Sequence, residues 1–116
     1  MEFSIKNTVT TSEIIDTIKL ACKESKIVKA RLQDEPAVRI IHPFGVCLTT
    51  KRELIIVCWQ IGGYTKSGAL PQYRNIMIND CVHAEMMAQT FKVHAAFNPD
   101  SKQYDTWLFH VKGIGN

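Results

Sequence analysis

The sequence has no apolar run long enough for a signal's hydrophobic region or a membrane span, and Glu2 stands where a secretory signal carries positive charge. A soluble, unprocessed protein is expected. Closely paired cysteines are missing too: Cys22, Cys47, Cys58 and Cys81 lie far apart among apolar or small neighbours. That spacing predicts buried thiols in a reducing compartment, the cytoplasm, rather than a disulfide framework. Charge of one sign is scarce, since a net charge of +3 permits a polyanionic partner without the dense basic footprint of a dedicated nucleic-acid binder. Repeats, low-complexity tracts and interdomain linkers are absent. A length of 116 residues, 46% of them hydrophobic, fits a single domain around one core.

Catalytic signatures are equally thin. Gly62-Gly63 is followed by Tyr64, with no lysine-serine pair leading into a helix, so the glycines do not form a phosphate loop. On a strand Cys81, His83 and Glu85 would share one face, a possible zinc set of mixed ligands. No Cys-x-x-Cys or His-x-x-x-His spacing accompanies them. Cys81 and His83 likewise lack the orienting acid and oxyanion donors of a nucleophile pair. No enzyme activity, cofactor or metal is expected.

What is present reads as an α+β chain, mostly β. Thr10-Thr11-Ser12-Glu13 matches a capping box and starts a helix over about 11–25, with Ile14, Ile18, Ala21 and Cys22 on one face and Ile15 at its flank. From Ile27 the period becomes two, as Val28, Ala30 and Leu32 alternate with Lys29 and Arg31 until Asp34-Glu35-Pro36 turns the chain. Further strands are expected over 37–42, 44–49 and 54–61, with Pro43-Phe44-Gly45 as a bend and residues 50–53 as a polar turn. The run from Leu54 to Trp59 is apolar on both faces and should be a central strand. Residues 62–71 form a glycine-rich, mobile loop. Residues 73–78 and 82–87 read as a strand pair about Asn79-Asp80, although 84–89 would also tolerate a helix. Asn98 as N-cap, Pro99, the apolar set Tyr104, Trp107, Leu108 and Val111, then Lys112 and Gly113 spell a C-terminal helix over about 99–112.

The stretch 27–91 resembles a WYL domain, a small SH3-like or Sm-like barrel found in bacterial and phage regulators. The likeness rests on the order of segments: an opening strand, Val38 to Val46 leading into a proline, a charged turn, the strand Leu54 to Trp59, a variable loop, Arg74 to Val82 as an arginine-led strand and turn, and a closing aromatic at Phe91. The chain is divergent, with Glu53-Leu54-Ile55 at the eponymous Trp-Tyr-Leu position and Asp80 in place of a second arginine. The resemblance implies a small curved antiparallel sheet or barrel, here flanked by the N- and C-terminal helices read above, and a regulatory, ligand-binding role.

A planar guanidinium at Arg74 would grip phosphate or carboxylate, or else pair with a surface acid such as Asp80. Arg39, His42, Lys51 and Arg52 would supply a basic rim, and Tyr64 and Tyr73 a stacking platform beside the glycine-rich loop. Trp59, at the end of an apolar strand, belongs in the core. The expectation is therefore a non-catalytic module for a small anionic ligand or single-stranded nucleic acid. The alternative is an interaction domain acting through homodimerisation along exposed strand edges.

Overall fold

A computed structural model describes residues 10–111. Helix α1 (Thr11–Glu24) begins as the capping box requires: the Thr10 hydroxyl accepts the Glu13 N–H at 3.1 Å and the Glu13 carboxylate accepts the Thr10 N–H at 2.8 Å. It ends at Ser25, whose left-handed backbone (φ 53°) returns its N–H to the carbonyls of Ala21 and Cys22. Its buried face is Ile14, Ile18, Ala21 and Cys22. Each buried isoleucine contributes about 1.5–3 kcal/mol.

Six strands follow: β1 (Lys26–Leu32), β2 (Arg39–Thr49), β3 (Leu54–Gly63), β4 (Gln72–Met77), β5 (Cys81–Thr90) and β6 (Tyr104–His110), with a 3₁₀ turn, Ile78–Asp80, before β5. All pairings are antiparallel in an open sheet of order β4-β3-β2-β1-β5, and β6 also pairs with β2. The inner face (Val28, Ala30, Ile41, Ile56, Cys58, Ile76) is buried together with α1. Among the described residues no helix is long and apolar enough to cross a membrane.

The length and bend of β2 organise the sheet. β3 takes one edge of β2 throughout, while β1 pairs with Arg39–Ile41 and β6 with Gly45–Thr49 on the opposite edge. The change of partner falls at Pro43-Phe44-Gly45, where Pro43 faces Cys58 and Gly45 faces Val57, so that Phe44 is an extra, bulged residue. Proline suits this place because the ladder is already interrupted. Glycine is needed because a Cβ on Gly45 would lie 2.5 Å from the Phe109 carbonyl oxygen and 2.8 Å from the His110 Cα.

Several expectations change. The segments 37–42 and 44–49 are one bent strand. Gly62 and Gly63 end β3 rather than belonging to the loop. β4 and β5 do not pair with each other among the described residues, because the 3₁₀ turn sends β5 across to β1. The expected C-terminal helix over 99–112 is a series of turns followed by strand β6, with residue 112 outside the described residues. Asn98 performs the capping chemistry of a helix start by accepting the Asp100 N–H at 3.0 Å. Ser101 then turns onto the Asn98 carbonyl and Tyr104 onto that of Ser101, and Tyr104–His110 completes the free edge of β2. The sheet consequently extends beyond the expected 27–91.

Gly45→Ala is expected to lose about 1–3 kcal/mol of stability, the usual cost of overpacking, read as a lower urea midpoint. Unchanged stability would mean that β6 does not approach β2 as closely as described.

Candidate functional site

Two polar regions and an aromatic face flank the sheet. The first region lies in the interior, where Arg39 forms a two-point ion pair with Glu35: Nε donates to Oε1 at 3.0 Å and Nη2 to Oε2 at 2.5 Å. Both residues are buried, with 9% and 5% exposure. Gln60, fully buried, accepts from Arg39 Nη1 at 3.4 Å and donates to the carbonyls of Gly62 and Tyr64 at 3.0 and 2.7 Å. The Glu35 hydrogen bonds raise the Arg39 pKa further, so the guanidinium is spent on structure. This network fastens the β1–β2 connection and the end of β3 together beside a cleft of about 320 Å³ lined by Asp34, Lys66 and Asp80 among others.

Arg74 is spent in the same way. Its guanidinium donates to Gln72 Oε1 (2.8 Å), Thr65 Oγ1 (2.7 Å) and the Ser67 carbonyl (2.8 Å), clasping the β3–β4 loop. Its Nε is buried without a hydrogen-bond partner among the described residues.

The outer face of the sheet carries the cross-strand row His42, Trp59, Tyr73. The segment 91–103, a strap, crosses over this row. Phe91 stacks on His42 (4.7 Å, 12°), His94 lies 4.2 Å from Trp59, and Phe97 meets Phe44 and Trp107 at 5.0 and 5.8 Å. Trp107 Nε1 donates to the Pro99 carbonyl at 2.8 Å and holds the far end of the strap. Aromatic pairs at such separations add about 0.5–1.5 kcal/mol each beyond their buried area.

Where the strap leaves the sheet it walls a cleft of about 340 Å³, lined by Tyr73, Arg74 and Asn75 of β4 and by Phe97, Asn98, Ser101, Gln103 and Tyr104. Next to it lies a smaller cleft of about 270 Å³ lined by Thr49, Lys51, Glu53 and Met77, and the two share Asn75 and Gln103. The Asn75 amide donates to Gln103 Oε1 at 3.2 Å and forms the partition between them. The Thr50 N–H donates to the Gln103 carbonyl at 3.2 Å, which brings the Lys51-Arg52 turn alongside Lys102. The larger cleft offers aromatic walls, amides and hydroxyls, with no carboxylate or imidazole among its lining residues.

The expected rim of Arg39, His42, Lys51, Arg52, Tyr64, Tyr73 and Arg74 does not converge. Tyr73 and Arg74 line the larger outer cleft, Lys51 the smaller one and Arg39 the inner one. His42 is stacked under the strap. Arg52 pairs with Asp105 at 3.6 Å on the surface, and Tyr64 closes onto Val38 and Gln60 through its backbone. Trp59 is half-buried and covered by His94 and Tyr73. Ser101, Gln103 and Tyr104 were hidden from sequence reasoning because 99–112 reads as a helix, and Phe97 and Asn98 because they precede it as a lead-in and cap; Asn98-Pro99, a turn signal as well as a cap, was the available clue.

The set Cys81, His83, Glu85 is divided by a register shift between Arg31 and Leu32: Cys81 is buried in the core while His83 and Glu85 are exposed. All four cysteines are free and buried. Burial pushes the thiols of Cys22 and Cys58 up to about 12 and those of Cys47 and Cys81 up to about 11. They stay protonated at neutral pH and present no thiolate.

Compared with protein-family models, curated proteins and solved structures, the chain matches none.

Removing the acid from the interior pair tests how much the inner network contributes. Glu35→Ala leaves Arg39 buried and uncompensated, with an expected loss of about 3–5 kcal/mol in urea unfolding. A loss under about 1 kcal/mol, the size of an exposed pair, would contradict the burial of that pair.

Proposed function

We propose that the chain is a non-catalytic regulatory binding module, a divergent relative of the WYL domains. Its ligand is a nucleobase-bearing molecule, a nucleotide or an exposed single strand, seated in the larger cleft on β4. The observation that carries this is the lining of that cleft. Tyr73, Phe97 and Tyr104 provide aromatic surface, and Asn75, Asn98 and Gln103 provide amide donors and acceptors. Flat heterocycles are held by such surfaces through stacking, and their edges are read by amides.

Charge distribution supports the same orientation. With Arg74 spent on its loop, the larger cleft is suited to an uncharged ring rather than to a phosphate. Lys51 and Glu53 line the smaller cleft, Arg52 beside them pairs with Asp105, and Lys102 adjoins Gln103 of the cleft wall, so a backbone phosphate there would find a modest positive bias. The four-strand meander β1-β2-β3-β4, entered from a helix and followed by a 3₁₀ step that returns β5 to the edge of β1, supports an SH3-like coil as the resemblance implies.

Fluorescence anisotropy with short labelled single-stranded DNA and RNA at about 50 and 200 mM salt tests the proposal. Binding is expected at the lower salt and is competed by free nucleotides. Asn75→Ala, an exposed position, should weaken it about tenfold or more, the loss of one edge contact. Absence of binding at low salt, or binding indifferent to Asn75, overturns it.

A further inference from the structure

Three of the four histidines, His42, His94 and His110, lie in the aromatic layer between the strap and the sheet. His110 Nδ1 faces the Val111 carbonyl at 3.1 Å, a contact in which a protonated nitrogen donates, whereas the contact of His94 is one that a proton would break. Its Nδ1 accepts the Ala96 N–H at 3.1 Å and lies 3.4 Å from the Tyr73 hydroxyl. An amide N–H can only donate, so this contact requires the lone pair of Nδ1. A proton on Nδ1 would set donor against donor at Ala96. The Tyr73 hydroxyl can rotate to accept, but Ala96 has no such freedom. Ala96 begins the wall of the larger cleft, which continues through Phe97 and Asn98.

We propose that His94 is a proton-operated latch: the neutral ring holds the Ala96 amide at the edge of the cleft on β4, and protonation releases that amide.

The surroundings confine the change to the turn. Face contact with Trp59 of β3 survives protonation, because an indole face attracts an imidazolium. From β4 the facing ionisable group is Tyr73; from β2 it is His42, beside Trp59 in the cross-strand row; on the strap itself Lys92 is exposed. No salt bridge holds His94 among the described residues. Burial lowers the pKa of His42. The cost of burying its cation is absent above the ordinary histidine value of about 6.5 and grows as pH falls from there through the lowered one. The Phe97 N–H bond to the His94 carbonyl, 3.0 Å, involves no titrating atom and remains.

This inference rests on the cleft being the binding site, but its test needs no ligand. In NMR spectra of the full chain between about pH 8 and 5, the window in which histidines change charge, the Ala96 amide signal should shift with the same midpoint as the His94 ring. Its hydrogen exchange, corrected for the intrinsic pH dependence, should become about fivefold faster on the acid side, the loss of one ordinary hydrogen bond. His94→Phe, which keeps the ring but has no acceptor, should show the fast-exchanging Ala96 amide at every pH. An Ala96 amide that ignores the titration of His94, or one that responds equally in His94→Phe, overturns the latch. A working latch in a protein that binds no nucleotide would refute the ligand and leave the latch standing.

Discussion

The whole arrangement depends on the bulge at Pro43-Phe44-Gly45. A straight strand offers one neighbour on each edge; a bent one offers two in succession on the same edge, and β2 uses this to carry β1 before the bend and β6 after it. The bend is fixed from both sides. Its carbonyls accept the Cys22 thiol from α1 at 3.4 Å and the Val111 N–H at 2.7 Å. Phe44, with no exposed surface, turns into the outer layer against Tyr73, Phe91 and Phe97. Helix, sheet and strap therefore meet at three consecutive residues, and a local irregularity of the backbone sets the positions of elements far apart in sequence.

Much of this was legible in the sequence because the relevant signals are local. The capping box of Thr10 and Glu13, the isoleucine face of α1 and the alternation of β1 all depend on neighbours within a turn or two. The C-terminal strand was not legible, for a specific reason. β6 contains two register shifts, with Asp105 and Leu108 left over between the paired residues, so its pattern advances by three rather than two. Tyr104 and Trp107 consequently lie against each other, with ring centroids 4.9 Å apart and planes tilted by 56°, on one side of the strand as residues of a helix would. A strand with closely spaced bulges imitates helical periodicity, and only the vacant edge of β2 decides between them.

The basic rim failed for a different reason. Composition marks Arg39 and Arg74 as cations without showing what they neutralise or hold. Glu35, four residues before Arg39, was legible as a neighbour but only the fold buries both. Arg74 is bound to a loop that begins nine residues earlier in the chain. An arginine in a loop-rich protein is often the device that closes the loop, and the site then falls to uncharged side chains such as Asn75 and Gln103, which no charge pattern marks.

The four thiols are distributed one to an element, on α1, β2, β3 and β5, and each is sealed from solvent. With their protons retained, they are indifferent to the glutathione poise and to mild oxidants as long as the structure is closed. Reagent reaches a sulfur only when its own element, or one packed over it, separates. The chain thus carries a built-in set of chemical clocks, in which the order of alkylation records the order in which its parts come undone.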